Sequence, residues 1–202
     1  MLVALKPLHD TFCVKHINVC TYQAVSGSGK DGVEELLQQS SAYIDQRSIH
    51  KKVYPKQIAF NSIPFVDCFL ENNYTREEMK MVWETHKILD ENISVNPTAV
   101  RVPVLVGHAE SIYIETEKEI DIELAKDCLN EFVGVSVIDD VREVDFPTSF
   151  EHGHGTDDVY VGRIRKGLSK NNSLNLWVVA DNVRKGAALN SIQIAENLVG
   201  SK

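Results

Sequence analysis

No apolar run in this chain of 202 residues approaches the roughly 20 that a membrane-spanning helix needs, so no such helix is predicted. The first residues, Met1-Leu2-Val3-Ala4-Leu5-Lys6-Pro7, lack the basic leader and small-residue cleavage site of a secretory signal. A cytoplasmic location is therefore expected, and the sequons at Asn73, Asn92 and Asn171 carry no weight. Basic side chains are in deficit. With 21 Lys and Arg against 29 Asp and Glu, the formal net charge of -8 has the wrong sign for a surface that tracks a phosphate backbone, and nucleic acid is not an expected partner. Cysteine is sparse: Cys13, Cys20, Cys68 and Cys128 are widely spaced with no C-x-x-C pair, so neither a zinc site nor a disulfide framework is signalled, and reduced, mostly buried thiols are expected. What remains is ordinary for a folded protein, with 43% hydrophobic and 25% charged residues in a chain long enough to bury a core without staples.

Leu2, Leu5, Leu8 and Phe12 have helical spacing, interrupted by Pro7, which is easiest to accept in the first turn of a helix. Val14 to Tyr22 is β-branched and alternating, and it predicts a strand that runs into Ser26-Gly27-Ser28-Gly29, followed by a helix from about Gly32 to Gln46. Ile58 to Pro64 reads as a short strand. Thr75 and Glu78 form a capping box opening a helix whose inner side carries Met79, Val82, Trp83 and Leu89. Val100 to Gly107 and Ser111 to Ile114 read as two strands around a short turn, Ile122 to Phe132 as a helix, and Val135 to Val141 as a strand. Phe146 to Asp158 reads as a loop, Tyr160 to Arg165 and Leu174 to Ala180 as strands, and Val183 to Leu198 as a closing helix in which Gly186-Ala187-Ala188 permits close packing. Mixing without strict alternation predicts an α+β fold with a mixed or largely antiparallel sheet covered by helices.

Gly27-x-Gly29-x-x-Gly32 between a strand and a helix is formally the dinucleotide fingerprint, with Asp45 near the place of a ribose-binding acid. A regular βαβ run should follow it, and none does. A Walker A loop is excluded because Ala24 stands where its first glycine belongs and Asp31 follows Lys30. What is left is a turn of exposed N–H groups at a helix start, suited to an anion or a polar cofactor edge. His152 and His154 lack regular metal-ligand spacing and read as solvated loop residues, so no metal site is expected. Arg101 and His108 lie seven apart and, on an extended strand, would emerge at its two ends. Glu77 and Lys80, three apart on a helix, read by spacing as a surface ion pair.

Five blocks, taken together and in order, resemble the aspartate-semialdehyde dehydrogenase family: Thr21 to Gly29; Phe60 to Pro64; Glu77 to Lys80 with Glu84 to Ile88; Arg101 to Val104 with Gly107-His108; and Ala180 to Ala188. The resemblance covers nearly the whole chain. It implies NADPH-dependent reductive dephosphorylation of L-4-aspartyl phosphate to aspartate semialdehyde, on the route to lysine, threonine, methionine and cell-wall precursors. It also implies a fold like the C-terminal domain of glyceraldehyde-3-phosphate dehydrogenases, with residues 1–182 as catalytic and dimerisation domain and 183–202 as a helix packing on an N-terminal NADP-binding domain.

By that resemblance, Gln23 orients the substrate, Arg101 clamps its α-carboxylate, Glu77 meets its amino group and Lys80 binds phosphate. His108 is implied as the acid/base partner of a thiolate, and Ser26, Gly27 and Asn182 as contacts to NADP near its nicotinamide. A guanidinium matches a carboxylate bidentately, and an imidazole moves protons near neutral pH. Ser28 and Ala109 stand where the family often has Ala and Ser. None of the four cysteines sits in the family's Asn-Cys motif, so the chain is expected to begin just after that motif, to need an N-terminal NADP-binding half for turnover, and to form a homodimer. Leu2, Leu5 and the helix from Val183 to Leu198 are expected to leave apolar area uncovered. Two other readings stand beside it: a non-catalytic dimerisation or interaction module, and a free-standing nucleotide-binding domain built on the Gly27 fingerprint.

Overall fold

A computed structural model describes residues 1–200. Among these residues, five α-helices, α1 (Leu2–Phe12), α2 (Gly29–Ile44), α3 (Arg76–Ile88), α4 (Ile122–Asn130) and α5 (Leu189–Gly200), accompany six strands. The strands are β1 (Val14–Gln23), β2 (Ser94–Arg101), β3 (His108–Thr116), β4 (Val135–Val137), β5 (Val159–Lys166) and β6 (Ser173–Ala180), ordered β2-β1-β3-β6-β5-β4. β1 with β2 and β4 with β5 run parallel, and the three central pairings are antiparallel. This is the expected α+β class with a mixed sheet.

Strand alternation divides the sheet into two unlike faces. Ile17 and Val19 of β1, Ile112 and Ile114 of β3, and Leu174, Leu176 and Val178 of β6 point into one core, which Leu5, Leu8 and Phe12 of α1 and Ala125 and Leu129 of α4 complete. The opposite face carries His16, Asn18, Cys20 and Tyr22 opposite Glu115, Tyr113, Ser111 and Ala109, with Asn175 and Trp177 beside them. Most of these are only half-buried, and Tyr22 and Trp177 meet with ring centroids 5.4 Å apart.

α3 is fastened to the edge strand β2 by its own cap. Thr75 and Glu78 form the expected capping box, and the second oxygen of Glu78 accepts from the Ala99 N–H at 2.9 Å. An outward-facing N–H of the edge strand is thus satisfied by a carboxylate that also starts a helix. Pro97 sits in β2, where an edge strand tolerates a missing donor.

Several expectations change. Ile58 to Pro64 forms no strand: the Ile58 and Ala59 N–H groups donate to the Gln39 side chain, Phe60 has φ 59°, and only Ile63 bridges to Arg101. β2 starts earlier and ends at Arg101, before Pro103, and it does not pair with β3, because β1 lies between them. Trp83 is 51% exposed, because α3 turns Glu78 and Thr85 inward instead. Leu5 is fully buried under the sheet, and only Leu2 of that pair keeps partial exposure. The closing helix begins at Leu189 after a widened turn at Arg184–Ala188, and nothing packs closely on Gly186. Its Ile192, Ile194, Leu198 and Val199 are all more than half exposed, as expected for that segment. None of the cysteines is fully buried, and Cys68 is exposed.

The double use of Glu78 sets a ranking that urea denaturation checks. Thr75→Ala should cost about 1 kcal/mol as a lost cap. Glu78→Ala should cost about 2–3 kcal/mol, because the buried N–H groups of Thr75 and Ala99 both lose their acceptor.

Candidate functional site

The parallel register places Gln23 at the end of β1 beside Arg101 at the end of β2, and the antiparallel register places the start of β3 at that same edge, with His108 opposite Ala180. Four strand ends therefore converge. Beyond Gln23 the chain leaves the sheet as a single 3-10 turn, Val25–Ser28, held by the Val25 and Ser26 N–H groups donating to the carbonyls of Val104 and Leu105 at 2.8 and 3.1 Å. The peptide groups of Ala24 are shared out at this exit. Its N–H donates to Nδ1 of His108 at 3.1 Å, and its carbonyl accepts from Nη1 of Arg101 at 2.6 Å.

Gly27, exposed above them, needs its missing side chain. A Cβ there would stand 2.9 Å from Nη1 of Arg101 and 3.4 Å from Nε2 of His108. Arg101 is 6% exposed, and no carboxylate among the described residues lies within ion-pair distance of it. Gln23 donates through Nε2 to Glu77 at 2.9 Å, while its Oε1 is buried without a partner. Lys80 completes the row, 3.1 Å from the other Glu77 oxygen. On the other side, Asn182 Oδ1 accepts from the Ser26 hydroxyl at 3.1 Å and the Gly107 N–H at 3.0 Å, so its amide NH2 is not used in holding this turn. Gly107, at φ 87°, is where the chain turns back, with the Ser149 carbonyl filling the space a Cβ would take.

Burial and the neighbouring positive charge of Arg101 push His108 down to about 4, against the weaker pull of Glu77 and Asp181. The imidazole is therefore neutral near pH 7. Because Nδ1 accepts from Ala24, its proton is assigned to Nε2, on the side of Gly27. Burial opposes ionisation of Glu77, but hydrogen bonds from Gln23 and Lys80 and the Lys80 charge hold its carboxyl below the ordinary value. Asp181 behaves likewise: burial is outweighed by N–H groups of Arg184, Gly155 and Val183, each 2.8 Å from a carboxylate oxygen.

The structure thus assembles Gln23, Ser26, Gly27, Glu77, Lys80, Arg101, His108 and Asn182 around one edge. Arg101 and His108 do not emerge at opposite ends of a strand; the turn through residues 102–107 folds them onto the same glycine. The Glu77–Lys80 pair is more than a surface ion pair, since Gln23 joins it. Gly32 does not border a phosphate cradle: a Cβ there would meet the Tyr54 hydroxyl at 2.6 Å, so this glycine makes room for a side chain. His152 is tied to its own loop, with Nδ1 accepting from Thr148 N–H at 3.1 Å, and no group of three or more His, Cys, Asp or Glu among the described residues is placed to hold a metal. Cys20 points to the opposite sheet face from Gln23. Two clefts elsewhere, at the far end of α2 and lined by Gln39 and His50 or by Tyr43 and Phe60, include none of the site residues. Sequence reasoning missed Asp181, whose position just before a helical turn is an Asx-type capping signal, and it missed the Ala24 peptide, which has no residue-type signal at all.

The low value of His108 gives stability a defined acid dependence. Between its ordinary 6.5 and about 4, the unfolded chain takes up a proton that the folded chain refuses. Stability therefore falls as pH drops through that window, by at most about 3 kcal/mol, and is unaffected by this group above it. Denaturation at pH 7.5 and 4.5 should show His108→Gln losing less stability on acidification than the unaltered chain.

Residues 5–185 match the family described as semialdehyde dehydrogenase, dimerisation domain. Among curated relatives, the aspartate-semialdehyde dehydrogenase of Shewanella violacea is 56% identical over 200 residues, which are 98% of this chain and 59% of the relative. That of Bacillus subtilis is 44% identical over 207 residues, 98% of this chain and 60% of the relative. The crystal structure of aspartate semialdehyde dehydrogenase II from Vibrio cholerae, complexed with ASA, superposes with a TM-score of 0.95 at 50% identity over 98% of this chain and 59% of that one. An enzyme of the same name from Candida albicans, solved with NADP, shares the fold at a TM-score of 0.68 and 24% identity, across 96% of this chain and 53% of its own. This chain spans about 59% of the length of the first of these relatives. With its fold and nearly its whole length matched, the chain belongs to the semialdehyde dehydrogenase dimerisation-domain family, as the C-terminal domain of the aspartate-semialdehyde dehydrogenases.

Proposed function

We propose that this chain forms the substrate-binding and proton-transferring part of a cytoplasmic, NADP-dependent aspartate-semialdehyde dehydrogenase, which converts L-4-aspartyl phosphate, NADPH and a proton to aspartate semialdehyde, NADP and phosphate. The observation that carries this reading is Arg101, a buried guanidinium with no ion-pair partner among the described residues, held by one backbone carbonyl beside an exposed glycine. A buried cation without a counter-charge is costly, and a substrate carboxylate removes that cost while matching the planar fork bidentately.

The rest of the row suits the same molecule. Glu77, kept ionised, receives an ammonium group, and Gln23, whose Oε1 lacks a partner, orients the same end. Lys80, charged and half exposed, takes the phosphate. His108 presents Nε2–H toward Gly27, which supports donation to the oxygen of the reacting acyl group; taking a proton requires Nδ1 to give up the Ala24 N–H. The fit to a dinucleotide rests on Asn182, whose carboxamide is held through its oxygen and keeps its NH2 as a donor, and on the bare surface of Gly27, one edge of a binding site rather than a whole one. NADPH, when bound, supplies the hydride. The nucleophile lies outside this chain: Cys20 faces away, and none of the other thiols is bonded to His108 among the described residues. The open sheet face with Tyr22, Tyr113 and Trp177 suits a second copy in a homodimer, and the exposed apolar side of α5 suits the NADP-binding half.

The test is the reverse reaction, aspartate semialdehyde with NADP and phosphate, run on this chain alone and after mixing with a separately produced NADP-binding half carrying the Asn-Cys motif. No turnover alone and activity on mixing are expected. In the mixed enzyme, Arg101→Lys should raise KM for the semialdehyde about 10- to 100-fold, since an ammonium loses the bidentate match. Turnover by the chain alone would overturn the external nucleophile, and an unchanged KM would remove the carboxylate clamp. A dimer that never gains activity would select the second reading, a non-catalytic dimerisation module, which the open sheet face favours.

A further inference from the structure

We propose that Glu35 and Gln39, one turn apart on α2, are positioning residues: their side chains staple the irregular segment 50–63 to the helix, and that segment sets the seat of Arg101 and of the Val25–Ser28 turn. Neither residue bonds to the site, and the inference rests on reading Arg101 and Gly27 as parts of it. Both side chains are buried, at 6% and 2% exposure, within or beside the small apolar cluster of Val25, Leu36, Tyr54, Ile58, Ala59 and Ile63. A helix that needed only to pack there would carry apolar side chains, because a buried carboxylate and carboxamide must recover their desolvation through hydrogen bonds.

They recover it entirely from one stretch of backbone and from each other. Glu35 accepts from the N–H groups of Lys52, Val53 and Tyr54 and from Nε2 of Gln39. Gln39 donates to the His50 carbonyl at 2.9 Å and accepts from Ile58 and Ala59 at 2.8 and 3.2 Å. The segment has no helix or ladder of its own to satisfy these groups, so the two side chains take the place of secondary structure.

Two outputs of the segment reach the site. Ile63 exchanges both backbone hydrogen bonds with Arg101, at 2.9 and 2.8 Å, which fixes the Arg101 backbone from the side away from β1. Tyr54 lies under the Val25–Ser28 turn, with its hydroxyl 3.4 Å from the Val25 carbonyl, in the space left by the missing side chain of Gly32. The third glycine of the formal dinucleotide fingerprint thereby acquires a purpose unrelated to phosphate. Arg101 and the turn then meet at Gly27 with little room to spare, so a shift of either alters the other and the imidazole beside them.

The experiment follows His108 in the substrate-free chain by NMR titration of its imidazole, so its outcome is independent of whether the enzyme reading holds. Glu35→Gln and Gln39→Leu should each raise the His108 midpoint from about 4 by about half a unit or more, as Arg101 and the Ala24 peptide loosen around it. Leu129→Ala, a buried leucine of the other cluster, is the matched destabilised control and should leave the midpoint unchanged. An unmoved midpoint in both staple variants, or an equal shift in the control, would overturn the proposal. If neither staple variant folds, native-state hydrogen exchange on the unaltered chain decides: the amides of Val53, Ile58, Ile63 and Arg101 should open as one unit with one free energy, and independent opening would overturn it.

Discussion

The backbone of Ala24, with its N–H in one peptide group and its carbonyl in the next, is the constraint on which the site depends. A strand ends there, and the N–H and carbonyl that no longer serve the sheet must find other partners. They find His108 and Arg101. Two successive peptide groups joined at the Ala24 Cα thus set the tautomer of an imidazole and the reach of a guanidinium, and the next open backbone position, Gly27, leaves space for both heads.

Around this point the fold is asymmetric in a useful way. One sheet face is closed by α1, α3 and α4 and supplies most of the core, while the other is half-buried and polar with a few aromatic rings. The site sits at the edge, where parallel and antiparallel neighbours bring strand ends and strand starts together. Its polar groups are arranged in series: Lys80 and Gln23 hold Glu77 ionised, burial and then the Arg101 charge keep His108 neutral, and Asp181 is held ionised by backbone N–H groups at the start of the next turn. In this row Arg101 is the cation without an ion pair among the described residues.

Helices and strands with a clear period were legible, as were the capping box and the mixed class. Legibility failed where side chains replaced backbone as partners. Ile58 and Ala59 carry strand-like residue types, yet their donors go to Gln39; Trp83 has the spacing of a buried position, yet Glu78 and Thr85 take the inner side of α3 because the edge of β2 needs an acceptor. The candidate site residues were named from the resemblance of blocks, whereas their spacing alone argued against grouping Arg101 with His108.

Composition, periodicity and local turn chemistry by themselves determined the class of the fold, the main elements and the absence of a long apolar helix, because those depend on neighbours a few positions apart. Only the tertiary structure decided that Gln23, Arg101 and His108 share an edge, that the Gly27 fingerprint serves side-chain packing, and which cysteine faces which side. Those facts depend on strand order and register, and a register is set by long-range pairing that no short window of sequence contains.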